Sequence, residues 1–336
     1  MINAFSLMTH TEIIPPSVPP EGELFMPPET ETFSEGLWYI IKNAFNLINP
    51  ELVEASGICL SLIGIVILVS ILKDFTKDTQ KSVLLAAIVS VAVLLLSASN
   101  TLIHLATNTV HVLNDYGKLL LPVMTAALAA QGNMSSSAAL YSGSALFCTI
   151  LTSLITKIVV PLIYIYLCIS IAWHATDENS LKSIKDFIKW LVSWSMKIVL
   201  YIFSGYMSIT KIITGSVDAA AIRTAKIAIS GMVPVVGKII SDSSETILLS
   251  AGIVKNGAGI YGVLAVISIL IGPFIKIGIQ YLLFKLTAAL CEIFEVKKIS
   301  ALIKDFSTAM GIALGMIGIL GLMLLISTVC FMKGVI

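Results

Sequence analysis

The sequence predicts an all-α, polytopic membrane protein with about six to eight membrane helices, including short or re-entrant helices broken by proline. Three observations carry that expectation. Of the 336 residues, 57% are hydrophobic and only 12% charged, where soluble domains carry roughly 25% charged residues. The mean hydropathy is +0.97. Apolar runs near the roughly 20 residues needed to cross a bilayer's hydrocarbon core also recur from Gly57 to the C-terminal end. Charge is nearly balanced, with 21 Lys+Arg against 20 Asp+Glu. No basic excess is left to neutralise phosphates, so no nucleic-acid partner is expected.

Residues 1–50 differ from the rest, holding seven of the eleven prolines and six glutamates from Glu12 to Glu35. They read as a flexible extracytoplasmic leader with room for a short amphipathic helix near 35–48. A secretory signal needs a basic stretch followed by an apolar core, and MINAFSLMTHTEIIPP has neither. Residues 51–336 read as a transmembrane helical domain. Full-length spans are expected at 56–73, 82–104, 158–174, 190–213 and 259–284, with a sixth, Gly- and Met-rich span at 309–332. Residues 119–131, 138–156 and 232–254 are apolar but ambiguous.

Those ambiguous regions correspond under a fixed shift. Pro122 and Pro234, each in a Pro-Val pair, stand 112 residues apart, as do Pro161 and Pro273. An internal duplication of 78–174 onto 190–286 follows, in which each half carries proline-broken helices at matching places. Such paired interruptions point to a transport path, because lipid cannot satisfy the backbone groups freed at a break.

Topology depends on whether 119–156 crosses the membrane. If it dips in and returns, the halves are parallel, and the connections 73–81, 175–189 and 285–308 share one side. That side would gather ten lysines, as the cytoplasmic face does. If it crosses, the repeats are inverted and the last two connections part from the first. The re-entrant arrangement is the one expected, although Lys118, Lys157, Arg223, Lys226, Lys238 and Lys255 on the opposite connections keep charge bias from deciding it.

Two lysines interrupt spans, Lys197 in WLVSWSMKIVLYIF and Lys276 in LIGPFIKIGIQYLL. An ionisable group within a span is a functional candidate by default; each lysine is also near enough to a span end to snorkel. The richest polar stretch, 214–256, holds the only arginine, Arg223, with Asp218 five residues before it. Asp242 and Glu245 have the spacing of a capping box, and the helix N-terminus it implies would aim at a polar pore or simply sit capped at the membrane edge. These six residues are the candidate pore or partner contacts. His104, His111 and Asp115 share a helical face, which reads as an interfacial surface with a proton relay or metal pair as the alternative. Residues 181–196 form an amphipathic pattern running into a span, with Trp190 and Trp194 suited to the headgroup level. The five cysteines are scattered through apolar stretches and read as small hydrophobes. No nucleophile elbow, zinc-binding HExxH or Walker pattern occurs, so neither enzymatic chemistry nor a metal or other cofactor is expected.

LLLPVMTAALAAQGN (119–133), PVVGKIISDSSET and KNGAGIYG within 219–262, PFIKIGIQYLLFKLTAALCE (273–292) and GIALGMIGILGLMLL (311–325) together resemble the stage III sporulation protein AE family, from about Glu51 onward. Family members usually begin with a signal peptide. The resemblance implies a multi-pass protein of the mother-cell membrane surrounding the forespore, within a secretion-like channel complex needed for forespore development. Its implied partners are the other stage III A-operon proteins, including an ATPase and ring-forming membrane proteins, and through them the forespore protein Q; a homo-oligomer is compatible. The resemblance brings no catalytic residues and leaves the cargo open. It allows a channel or permease-like subunit, or a non-conducting scaffold that assembles the complex.

Overall fold

The structure, a computed structural model, describes residues 16–28, 32–75, 80–130, 134–213 and 257–333. Every extended element among them is a helix. A single turn, α1 (Pro20–Glu23), precedes α2 (Phe33–Phe75), α3 (Gln80–Ala130) and α4 (Met134–Leu154). A π-helical turn at Ile155–Val159 joins α4 to α5 (Val160–Thr176), and α6 (Asn179–Ile213), α7 (Gly257–Ile293) and α8 (Lys297–Lys333) complete the bundle. Six stretches are long and apolar enough to cross a membrane, with α4 and α5 counting as one. This is a multi-pass helical membrane protein.

The helices are longer than their apolar runs suggested. The first span was expected from 56, yet α2 begins at Phe33 and continues through Pro50. Pro122 and Pro273 likewise lie inside the continuous helices α3 and α7 rather than opening short ones. Proline removes one N–H from the ladder, and packed neighbours let a membrane helix tolerate that loss. Pro161 sits in the first turn of α5, directly after the π-turn. Residues 119–130, expected as a separate dipping segment, therefore continue α3, and 138–156 run on into α5. Pro234 lies outside the described residues, as does the whole polar stretch 214–256, so the middle of the second expected repeat, 190–286, is not described.

The C-terminal end of α2 and the connections 177–178 and 294–296 gather at one end of the bundle. Ser70 Oγ donates to the Phe294 carbonyl at 3.4 Å, and Lys298 pairs with Asp177. The α5–α6 and α7–α8 turns, flanked by Lys182, Lys185, Lys297 and Lys298, thus lie at the same end of the described bundle as the close of α2. What separates them from the opposite end is the antiparallel hairpin of α3 with α4. Asp177 closes α5 in the left-handed region at φ 60°, its N–H donating to the Trp173 carbonyl at 2.8 Å. Glu295 plays the same part after α7 at φ 58°.

Helix α8 is the axis. Its most apolar window is 72% buried, against 28% for that of α2, and it contacts α3, α4, α5, α6 and α7. Gly117 and Gly262 allow close approach: a Cβ on Gly117 would lie 2.8 Å from Leu324 of α8, and one on Gly262 2.9 Å from Leu120 of α3. Small residues do this in membranes because lipid gives apolar helices no hydrophobic reason to associate.

At the far end, α4 and α6 lock together. Tyr206 donates its hydroxyl to the Ala139 carbonyl at 2.7 Å, and Phe147 meets Phe203 and Tyr206 at ring-centroid distances of 5.7 Å. Gly143 leaves the space for the Tyr206 ring, which any Cβ there would overlap. Gly143→Ala is therefore expected to destabilise the solubilised protein by about 1–3 kcal/mol, seen as a lower thermal midpoint. Adding Tyr206→Ala should cost less than the two single losses combined, because the clash is then gone.

Candidate functional site

Within a chain so poor in charge, the described residues bring one carboxylate into a dense polar cluster. Asp305 lies two turns into α8, with its side chain 15% exposed. Its Oδ1 accepts the Tyr166 hydroxyl at 3.0 Å. Its Oδ2 accepts Ser170 Oγ at 2.5 Å, Lys185 Nζ at 2.8 Å and the His174 Nε2 at 2.9 Å. Tyr166, Ser170 and His174 repeat every four residues, so α5 presents all three from one face, while Lys185 comes from the first turns of α6.

The lysine is held twice. Its side chain is 7% exposed, and its ammonium stands 4.0 Å from the Trp173 ring centroid, so the cation lies between a carboxylate and an aromatic face. The Trp173 and His174 rings are 4.3 Å apart. One negative and one positive charge cancel, and a neutral imidazole bearing its proton on Nε2 is enough to complete the set. With four donors on two oxygens, the carboxylate has little capacity left for cargo or metal. What it does is join α5, α6 and α8 by their side chains at the end where the α5–α6 and α7–α8 turns meet. No group of three or more His, Cys, Asp and Glu suited to a metal occurs among the described residues.

The residues expected from the sequence are placed differently. Lys276 of α7 pairs with Glu51 at 3.2 Å and Glu54 at 3.5 Å, both on α2. Those acids stand one turn apart just after Pro50, so the span lysine ties the N-terminal half of α2 to the bundle. Lys197 is half-buried on α6 and has no ion-pair partner among the described residues. Asp218, Arg223, Asp242 and Glu245 lie outside the described residues. His104, His111 and Asp115 are exposed, with Asp115 pairing to Lys118 at 2.7 Å, which fits an outward-facing surface. Four of the five cysteines are buried and Cys168 is exposed.

Sequence reasoning missed the Asp305 cluster. Asp305 fell in the stretch 285–308, read as a connection, although only 294–296 separate α7 from α8. The available signal was on α5, where Tyr, Ser and His recur at four-residue spacing within an otherwise apolar span.

Comparison with known proteins gives this fold a family context. The family model for stage III sporulation protein AE matches residues 25–334. Stage III sporulation protein AE of Bacillus subtilis (strain 168) is 26% identical over 267 residues, covering 78% of this chain and 66% of the relative, so the chain spans just under two thirds of that protein's length. No solved structure matches.

Breaking one side of the cluster leaves a buried charge uncompensated, at a cost of about 3–5 kcal/mol, whereas replacing both ions by apolar groups is often close to neutral. Asp305→Leu is accordingly expected to lower the thermal midpoint of the solubilised protein far more than Asp305→Leu combined with Lys185→Leu. Equal losses in the two would show that the ion pair does not hold these helices.

Proposed function

Because the chain belongs to the stage III sporulation protein AE family, we propose that it is the multi-pass scaffold subunit of the secretion-like complex linking mother cell and forespore. It sits in the mother-cell membrane around the forespore, where it holds the A-operon ring-forming proteins and ATPase in place for forespore development. It carries out no covalent chemistry.

The observation that carries the scaffold reading over a permease-like one is the packing of α8. From Ile299 to Met332 this helix fills the axis of the described bundle, with Phe306, Met310, Leu320 and Met323 fully buried. A transport path between two proline-broken halves would need polar or open space where these side chains interdigitate. Among the described residues, the charges near that axis are spent on one another around Asp305. Outward, by contrast, the bundle offers broad apolar faces, including Leu60, Leu68, Val89 and Val93, suited to lipid and to neighbouring membrane subunits.

Two measurements test this together. The purified full chain, reconstituted into vesicles, is expected to pass ions and small solutes no faster than empty vesicles. Tagged chain isolated from sporulating cells is expected to bring down the ring-forming proteins and the ATPase of its operon. Solute flux through the chain alone would overturn the scaffold reading, and so would failure to co-isolate those proteins under conditions that keep the membrane complex intact.

A further inference from the structure

We propose that the outward face of α6, between Lys182 and Lys197, is a binding site for anionic phospholipid: lysines take the headgroup phosphate, and an adjoining aromatic stripe takes the upper acyl chains. This goes beyond the scaffold role and does not depend on it.

The helix register sets up the two stripes. Ile188, Val192, Met196, Leu200 and Phe203 of α6 are buried toward the bundle. Phe187, Trp190 and Trp194 follow one another at three- and four-residue spacing on the opposite side, each a little over half exposed, at 56%, 53% and 52%. They form a stacked ladder, Phe187 to Trp190 at 6.0 Å and Trp190 to Trp194 at 5.6 Å between ring centroids, with interplanar angles of 29° and 17°. Stacked rings facing away from the protein are surface kept out of water by something else, and amphipathic indoles favour the level where headgroup meets acyl chain.

Lys182, Lys189 and Lys197 lie seven and eight residues apart, which places them in a stripe beside the ladder. Lys182 and Lys189 are exposed and Lys197 is half-buried. None has a carboxylate partner among the described residues; Lys182 is only 5.9 Å from the Trp173 ring centroid. Asp186 is the single acid within this part of the face. The contrast with Lys185 is informative, because that lysine turns inward from the same turns of α6 and is fully matched by Asp305. The three outward cations are matched by no carboxylate among the described residues, which leaves them open to an external anion. Lys197 stands roughly 12 Å beyond Lys189 at helical rise, and its stem is placed to snorkel back toward the same layer. A protein carboxylate would suit one of these lysines; a layer of phosphates suits all three, with apolar chains against the neighbouring rings.

Native mass spectrometry of the detergent-purified full chain tests the proposal, using phosphatidylglycerol and phosphatidylcholine of matched acyl chains. The wild-type chain is expected to retain phosphatidylglycerol preferentially. Lys182→Gln, Lys189→Gln and Lys197→Gln should each weaken that retention by about five-fold, the factor for one lysine near an anionic surface, and the triple variant should lose the preference. The corresponding triple arginine variant, which keeps the charge, should restore it and shows that the face still folds. Quenching of tryptophan fluorescence by phosphatidylglycerol brominated high on its chains should drop when Trp190 and Trp194 are replaced by Phe. Equal retention of the two lipids by wild type, or undiminished retention of phosphatidylglycerol by the triple Gln variant, overturns the proposal. So does loss of a co-isolated acidic protein partner in that variant with lipid preference unchanged, which would assign the face to protein. Lipid retention is read on the purified chain and complex assembly in cells, so either reading can fail alone.

Discussion

A carboxylate set into the most buried helix of an apolar bundle has to be matched, and the arrangement at one end of this protein follows from matching Asp305. Removing an ion from water costs several kcal/mol unless good geometry and further hydrogen bonds compensate. Here the compensation comes from two different helices, three donors on α5 and one on α6. The requirement fixes more than a contact. Tyr166, Ser170 and His174 meet one carboxylate only when α5 has a single rotation about its own axis and a single height beside α8. Lys185 then fixes where α6 must start, which is why only two residues, 177 and 178, separate α5 from α6. The opposite end is held differently, by close approach at glycine and by ring packing. Directional bonds therefore set register at the turn end, while steric fit sets separation at the other.

Length is the second constraint. Helix α3 has 51 residues and α2 has 43, roughly 77 and 65 Å at helical rise, against a hydrocarbon core of about 30 Å. Tilt cannot absorb a two-fold excess, so part of the bundle stands outside the hydrocarbon. The strongly apolar runs of α2, α3 and α5 lie close to the end where the α5–α6 and α7–α8 turns meet, whereas those of α6, α7 and α8 begin farther from it. Exposed apolar side chains run along much of the bundle's length, Trp38, Phe45, Leu146 and Ile202 among them.

How much of this was legible in the sequence depended on which physical signal was local. The spans could be read because apolar composition is a property of neighbouring residues, and Lys276 and Lys197 stood out by contrast with it. Helix continuity could not be read the same way. Residues 105–118 carry His111, Asn114, Asp115 and Lys118, are mostly weak helix formers and resemble a connection, yet α3 passes straight through because Ala106, Val110, Leu113 and Tyr116 are packed into the bundle. Proline misled for a related reason: Pro50, Pro122 and Pro273 each remove one backbone bond, and packing on both sides outweighs that loss. Glu51 and Glu54 were left between the leader and the first expected span, because nothing local reveals that Lys276 stands opposite them, 225 residues from Glu51. Asp305 was hidden by its setting, since a charge near a lysine-rich turn looks like any solvated residue until the opposite helix face is known.

The two span lysines show what decides the role of such a residue. Lys276 and Lys197 were indistinguishable in sequence, each a single cation some two turns inside an apolar run. They differ in what stands opposite them. Lys276 faces α2, where a turn bearing two glutamates supplies its counter-charge from within the chain, half-buried Glu51 and exposed Glu54. The pairing anchors the stretch of α2 that extends beyond the apolar run. Lys197 faces outward from a helix whose inner side is already filled by Met196, Val199 and Leu200, so no described helix can answer it. A cation near hydrocarbon needs a counter-charge or water, and with aromatic rings beside it and two further lysines that have no carboxylate partner among the described residues, lipid phosphate is the counter-charge proposed for it.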